Sequence, residues 1–307
     1  MSKLKGGEPS RQDSLIKELL SWKPDLIINN TIMNGEILDK LKIHSCPVLS
    51  IIHELGSFSN YIEQKNETVS KTLITSDQLA VVSEAVKKDI EARLKKLSIS
   101  RKMDIIPGFS SLHRNSSLQK QTGDTFIVGA SGSLIFRKGP DQFIRIAHEV
   151  FKQQPNSNIH FHWLGGDLNS LFYFELMEEV KKYKLENKIT FSGSTDDPLP
   201  IFQSFHLFCM TSREDPFPLV NMEVAQLGIP ILSSKNSGGT SEFLKEESEF
   251  LVPYGDCEAF ANKILELVNN REVYSEQSNW IVNRGQEFNA EKILLQWQGL
   301  FDDLLNE

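Results

Sequence analysis

Short apolar, β-branched runs alternate with amphipathic stretches along almost the whole 307-residue chain. Residues 25–29, 48–53, 79–83 and 104–107 read as strands, and a second series follows at 125–130, 159–164, 189–192, 207–211, 229–233 and 250–253. Helical spacing separates them: Phe143, Ile144, Ala147, Val150 and Phe151 fall at i, i+1, i+4, i+7 and i+8. Strand–helix alternation of this kind predicts α/β architecture, with parallel sheets covered by helices on both faces.

The alternation breaks once. The polar, serine-rich stretch SSLHRNSSLQKQTGD, ending at Asp124, has no period and reads as a linker over residues 111–124. It divides a first domain, residues 1–110, with only about four candidate strands, from a second, residues 125–285, with six. The remaining residues, 286–307, place Ile293, Leu294, Trp297, Leu300, Phe301 and Leu304 on one helical face, which is expected to pack back towards the first domain.

Composition narrows the function classes. A net charge of −8 argues against a nucleic-acid binder, which normally carries a basic balance. The three cysteines, Cys46, Cys209 and Cys257, fit neither a metal spacing nor a disulfide framework, so no metal site is expected and a reducing compartment is. No apolar run approaches the roughly eighteen residues that span a bilayer, and the polar N-terminus MSKLKGGEPSRQDS has no secretory apolar stretch. A cytoplasmic protein is expected.

Open parallel sheets bind ligands outside the carboxyl ends of their strands, so candidate chemistry lies in the loops that follow strands. After the first strand of the second domain comes SGSLIFRKGPDQF, where Pro140 suits the first turn of a helix and Arg137 and Lys138 precede its positive end. Two cations there suit a diphosphate, although a solvated Arg-Lys-Gly turn has the same sequence. After the fourth strand comes SREDPFPLVNMEVAQLGIP. Asp215 precedes Pro216, which keeps it in the loop, and a helix from near Pro218 to Gly228 carries Glu223 in its first turns. Such carboxylates can accept hydrogen bonds from sugar hydroxyls, or simply sit near a helix start as surface acids. The next loop, KNSGGTSEF, has Gly238 and Gly239 for close backbone approach to a ligand, or for a plain turn.

Taken in order, GSLIFRKGPDQFIRIA, HFHWLGG, ITFSG, TSREDPFPLVNMEVAQLGIPIL and SGGTSEF resemble glycosyltransferase family 4 over residues 125–270, and residues 20–110 resemble it more loosely. The resemblance implies the GT-B fold, two Rossmann-like domains facing each other across a cleft. It also implies a retaining, metal-independent hexosyltransferase-type enzyme that moves sugar from a nucleoside-diphosphate sugar to an acceptor hydroxyl. Cell-surface polysaccharide or glycoconjugate assembly would be its setting, with no cofactor beyond the sugar nucleotide.

Carried over by position, Lys138 and Arg137 would bind the diphosphate. Glu223 would hold the ribose, and Asp215, with seven residues between them, the transferred sugar. Ser237, Gly238, Gly239 and Thr240 would lie near sugar and phosphates, presenting backbone N–H groups, and residues 188–191 would lie along the base. The family's arginine after the first-loop glycine is here Ser133, for which Arg137 could substitute. In IHEL, His53 ends a strand where the family places a cleft histidine, which joins Asp215 and Lys138 as a catalytic candidate. The stretch from Lys87 to Lys102, KKDIEARLKKLSISRK, has seven basic residues against two acids and could touch an anionic membrane carrying a sugar or lipid-linked acceptor; a solvated helix face is the alternative. The family's opening strand and glycine-rich loop normally lie well before a segment like KPDLIINNT, so a truncated N-terminal domain is expected on the acceptor side. That leaves a second reading open: a sugar-nucleotide-binding subunit, or half an enzyme, with a partner chain completing the domain.

Overall fold

Among the described residues, ten strands form two separate sheets, and every strand pairing in both is parallel. The structure, a computed structural model, describes residues 11–41, 46–110 and 125–306; the linker expected over 111–124 lies outside them. The chain groups into two units, residues 1–106 with 296–307, and residues 107–295.

The first unit runs α1 (Arg11–Ser21), β1 (Ile27–Asn29), α2 (Gly35–Leu41), β2 (Val48–Ile52), α3 (Gly56–Asn66), α4 (Thr68–Thr75), β3 (Gln78–Val81), α5 (Glu84–Leu97) and β4 (Lys102–Ile105). Its strands lie in chain order, β1-β2-β3-β4. Ser83 starts α5 with a side-chain cap on the Val86 amide, and α5 buries Val86, Ile90 and Leu94 against Ile52, Leu73, Leu79 and Val81. The last strand begins two residues earlier than its apolar run suggests. Lys102 and Met103 pair with Gln78 and Leu79, and Pro107, without an N–H, cannot extend the ladder.

The second unit runs β5 (Phe126–Ser131), α6 (Pro140–Gln153), β6 (Ile159–Leu164), α7 (Leu171–Lys182), β7 (Ile189–Phe191), α8 (Leu199–Ser204), β8 (Leu207–Met210), α9 (Leu219–Gln226), β9 (Ile231–Ser234), α10 (Gly239–Leu244), β10 (Leu251–Val252), α11 (Cys257–Asn269) and α12 (Arg271–Gln286). A final helix, α13 (Ala290–Asn306), belongs to this unit through Leu295 and to the first from Gln296. The sheet order is β10-β9-β8-β5-β6-β7, the doubly wound order, which reverses between β5 and β8. Its core is aromatic: Phe143 of α6 meets Phe161 and Trp163 of β6 edge to face, with ring centroids 5.2 and 5.6 Å apart. Burial of each such ring contributes roughly 1.5–3 kcal/mol. No helix among the described residues is long and apolar enough to cross a membrane.

Candidate functional site

Where the strand order reverses, the loops after β5 and β8 part, and open α/β sheets hold ligands in the crevice between such loops. After β5, Phe136–Lys138 make a single 3-10 turn, Gly139 turns the chain at φ 74°, and Pro140 opens α6 as the sequence predicts. A Cβ on Gly139 would lie 2.1 Å from the Thr211 carbonyl oxygen, so the two loops meet backbone to backbone at a position only glycine fits. The Thr211 hydroxyl donates to the Lys138 carbonyl (3.2 Å) and the Arg213 amide to the Arg137 carbonyl (2.8 Å).

The loop after β9 is tied in the same way. The Asp215 amide donates to the Ser237 carbonyl (2.9 Å), and the Gly239 amide donates to the Asp215 carbonyl (3.0 Å). Gly238, at φ 105°, lies where a Cβ would meet the Asp215 carbonyl oxygen at 2.0 Å. Three loops at the carboxyl edge of one sheet are therefore fixed to one another through their main chains.

Side chains set the charge. Lys138 Nζ donates to Asp215 Oδ2 at 2.5 Å, and Arg137 lies 3.9 Å from the same oxygen while donating to the Glu214 carbonyl at 2.6 Å. Asp215 is buried, so the Lys138 charge is balanced inside the loop cluster. The Lys138 stem crosses Gly132, and Ser133 beside it is exposed. Glu223, the fifth residue of α9, differs. It is half-buried, makes no hydrogen bond or ion pair with a described residue, and burial pushes its pKa up.

The other candidates divide. Ser237 and Thr240 are buried; the Ser237 hydroxyl donates to the Ser234 carbonyl (2.9 Å) and Thr240 accepts from Asn221 (3.2 Å), so this loop offers a ligand its backbone rather than these side chains. One N–H expected to face a ligand, that of Gly239, is occupied by Asp215. Lys188, expected along the base, lies at the amino end of β7 with Nζ 4.6 Å above the Phe151 ring, away from the ligand-binding edge. His53 belongs to the first unit, follows β2, and is half-exposed with Nε2 3.7 Å from Glu54 Oε1. In the basic stretch, Lys88, Lys95 and Lys96 are exposed on α5, whereas Arg93 pairs with Asp89 (2.9 Å) and Lys102 with Asp303 (3.3 Å). Among the described residues, no group of three or more His, Cys, Asp or Glu is arranged to hold a metal ion.

The model of the glycosyl transferases group 1 family matches residues 114–287, more than half of the chain and all three of these loops. The chain belongs to that family. An uncharacterized glycosyltransferase of Haemophilus influenzae is 23% identical over 292 residues, covering 93% of this chain and 78% of the relative. The amylovoran biosynthesis glycosyltransferase AmsD of Erwinia amylovora is 24% identical, over 66% of this chain and 55% of its own length. Among solved structures, Anabaena HepE in complex with UDP and glucose superposes with a TM-score of 0.79 at 20% identity, over 98% of this chain and 84% of HepE. A complex of Staphylococcus aureus TarM with UDP gives 0.76 at 19% identity, over 96% of this chain but only 59% of TarM. These likenesses give this glycosyltransferase the GT-B fold class, with parallel sheets and helices on both faces of each.

Two residues of the site carried no sequence signal. Arg213 makes a bidentate pair with Asp141, at 2.8 and 2.6 Å, donates to the Phe136 carbonyl at 2.6 Å, and stacks its guanidinium 3.8 Å from the Phe136 ring centre. Asp141 also has Arg145 at 3.7 Å, and its acid reads in sequence as an ordinary first-turn helix residue.

Proposed function

We propose that the second unit binds a nucleoside-diphosphate sugar at the β5–β8 crevice and that the chain transfers the sugar to an acceptor hydroxyl with retention. One observation carries the reading. At the strand-order reversal, Arg137, Lys138 and Asp215 converge on main-chain-locked loops, with the Glu223 carboxylate, which has no partner among the described residues, one turn into the following helix. That carboxylate suits the paired hydroxyls of a ribose, which are donors. The donor's diphosphate takes Lys138 over from Asp215, and Asp215 is left to accept from hydroxyls of the transferred sugar. As the glycosidic bond breaks, Lys138 and Arg137 neutralise the charge growing on the departing diphosphate, a role that a metal ion fills at other sites. The acceptor hydroxyl then attacks from the face the leaving group vacates, positioned by the bound donor, and its proton passes to the departing diphosphate oxygen.

HepE and TarM, both solved with UDP, support a nucleotide donor, and AmsD, named for amylovoran biosynthesis, supports a setting in polysaccharide or glycoconjugate assembly. Exposed Lys88, Lys95 and Lys96 would hold the protein at an anionic cytoplasmic membrane face carrying a lipid-linked acceptor.

Calorimetric titration with UDP-, GDP- and ADP-sugars tests the site. Lys138→Ala and Glu223→Gln should each weaken the preferred donor by about 10- to 100-fold, since each removes hydrogen bonds involving a charged group. Unchanged affinity in both variants would sink the assignment.

A further inference from the structure

Arg213 lies on the loop after β8, yet every side-chain hydrogen bond it makes reaches the loop after β5 or the helix that follows it. Its guanidinium takes both oxygens of Asp141, the carbonyl of Phe136 and one face of the Phe136 ring, and its amide takes the Arg137 carbonyl. These partners bracket Arg137 and Lys138 on both sides: Phe136 opens the 3-10 turn and Asp141 lies in the first turn of α6. Arg213 and Asp141 are largely covered, with 16% and 11% of their side chains exposed, and two charge-assisted hydrogen bonds in a fork fix orientation as well as distance. The pair also disposes of a charge. Because Asp141 neutralises Arg213, and its hydrogen bonds hold the guanidinium protonated against the opposing effect of burial, Arg213 is no rival ligand for an anion.

We infer that Arg213 is a positioning residue for the donor's diphosphate: through Asp141 and Phe136 it fixes the turn that presents Arg137 and Lys138, without touching the donor itself. The inference rests on the donor-site reading above. A one-turn 3-10 segment has only the amide of Lys138 and that of Gly139 bonded back into the turn, at 3.0 and 3.2 Å. Short 3-10 turns hold poorly alone. The clasp supplies the rigidity that charge stabilisation needs, since misplacing a charged group by about 1 Å can cost on the order of 10²-fold. Lysine cannot replace Arg213, having no planar fork for Asp141 and no flat face for Phe136.

The experiment measures the affinity of the full chain for whichever of UDP, GDP and ADP it binds best, and for the matching nucleoside without phosphates. Proteins compared are native, Arg213→Lys, Asp141→Asn, Lys138→Ala, and Arg213→Lys combined with Lys138→Ala. Arg213→Lys keeps the charge and Asp141→Asn the size, so both variants should fold, which thermal unfolding checks. Expected is a roughly 10-fold loss for the diphosphate in each, with nucleoside affinity within about twofold of native. In the Lys138→Ala background the Arg213→Lys loss should shrink, because residues acting through one another are not additive. Equal losses for diphosphate and nucleoside would show a general loop defect and overturn the inference, as would full retention of diphosphate affinity or a full-sized loss in the Lys138→Ala background. If Lys138→Ala weakens binding and the Arg213 and Asp141 variants do not, the donor site stands and this inference falls. If the native chain binds none of the three diphosphates, both fall.

Discussion

Glu54 lies just beyond one parallel strand and Glu223 in the helix that follows another, and their carboxylates are treated in opposite ways. Glu54, after β2, accepts from the Thr31 hydroxyl, from the Ile32 amide at 3.3 Å and from the His53 amide at 3.1 Å, so it closes the turn that follows β1. Glu223, after β8 and inside α9, is half-buried and accepts from no described residue. Burying a carboxylate without partners opposes folding, and a chain retains such a group where a ligand supplies the missing donors. The difference separates a carboxylate that holds a loop from one held ready, and a place after a strand does not by itself distinguish them.

The comparison breaks most visibly at Glu54. Glu54→Ala strands donors at Thr31, Ile32 and His53, and should cost about 1–3 kcal/mol, read as a lower midpoint in urea or heat. Donor affinity should stay within about twofold of native. A variant of native stability with weakened donor binding would reverse the roles assigned to the two acids.

Glu223 should show the opposite sign. Burial raises its pKa, so the folded state holds that proton more tightly than the unfolded chain. The stabilisation belonging to the protonated form is complete below the ordinary carboxyl value of 4.5 and is lost as pH rises through the folded pKa. Glutamine does not titrate. Glu223→Gln should therefore unfold at a higher temperature than native near pH 7.5, with the gain shrinking towards pH 4, while donor binding is impaired. A variant less stable than native at pH 7.5 would mean that Glu223 has a partner in the folded chain, and the contrast with Glu54 would disappear.

How much of this was legible in sequence follows from the range of the contacts. Pro140 at a helix start, the strand before SREDPFP and the glycines of SGGTSEF are local signals, and each element formed where they place it. The acid pair was legible through its spacing and the resemblance, but not the state of each acid. Asp215 is joined to Lys138, 77 residues away, and the Arg213 clasp closes over 72 residues onto an aspartate that reads as a routine helix-start acid. Ser237 and Thr240 are expected from the resemblance to present backbone N–H groups, and packing adds that their side chains are buried. The amino-end position of Lys188 was missed because an apolar run does not reveal which of its residues reaches the carboxyl edge.

The smallest expected effect sharpens the comparison from a pair of histidines, which are half-buried like Glu223 but partnered like Glu54. His160 and His162 alternate along β6 and face the same side. Their Nε2 atoms lie 2.9 Å from the hydroxyls of Thr190 and Ser192, and Phe205 packs against the His162 ring. Burial lowers both pKa values, with Lys188 adding to the effect on His160 and His160 on His162. A lowered folded pKa means that the unfolded chain binds the proton better. The stabilisation is therefore present above the ordinary value of 6.5 and is lost as pH falls through the folded values. Native protein should thus lose a degree or so of unfolding temperature between pH 7 and 5 relative to the His160→Gln/His162→Gln variant, a shift on the scale of a few tenths of a kcal/mol. The slope runs opposite to that of Glu223, and the histidine contribution, read as native against the double glutamine variant, should be the same in the Glu223→Gln background. If the double glutamine variant keeps the full acid loss, the titrating groups lie elsewhere, and burial alone would no longer separate groups that titrate on unfolding from groups held ready for a ligand.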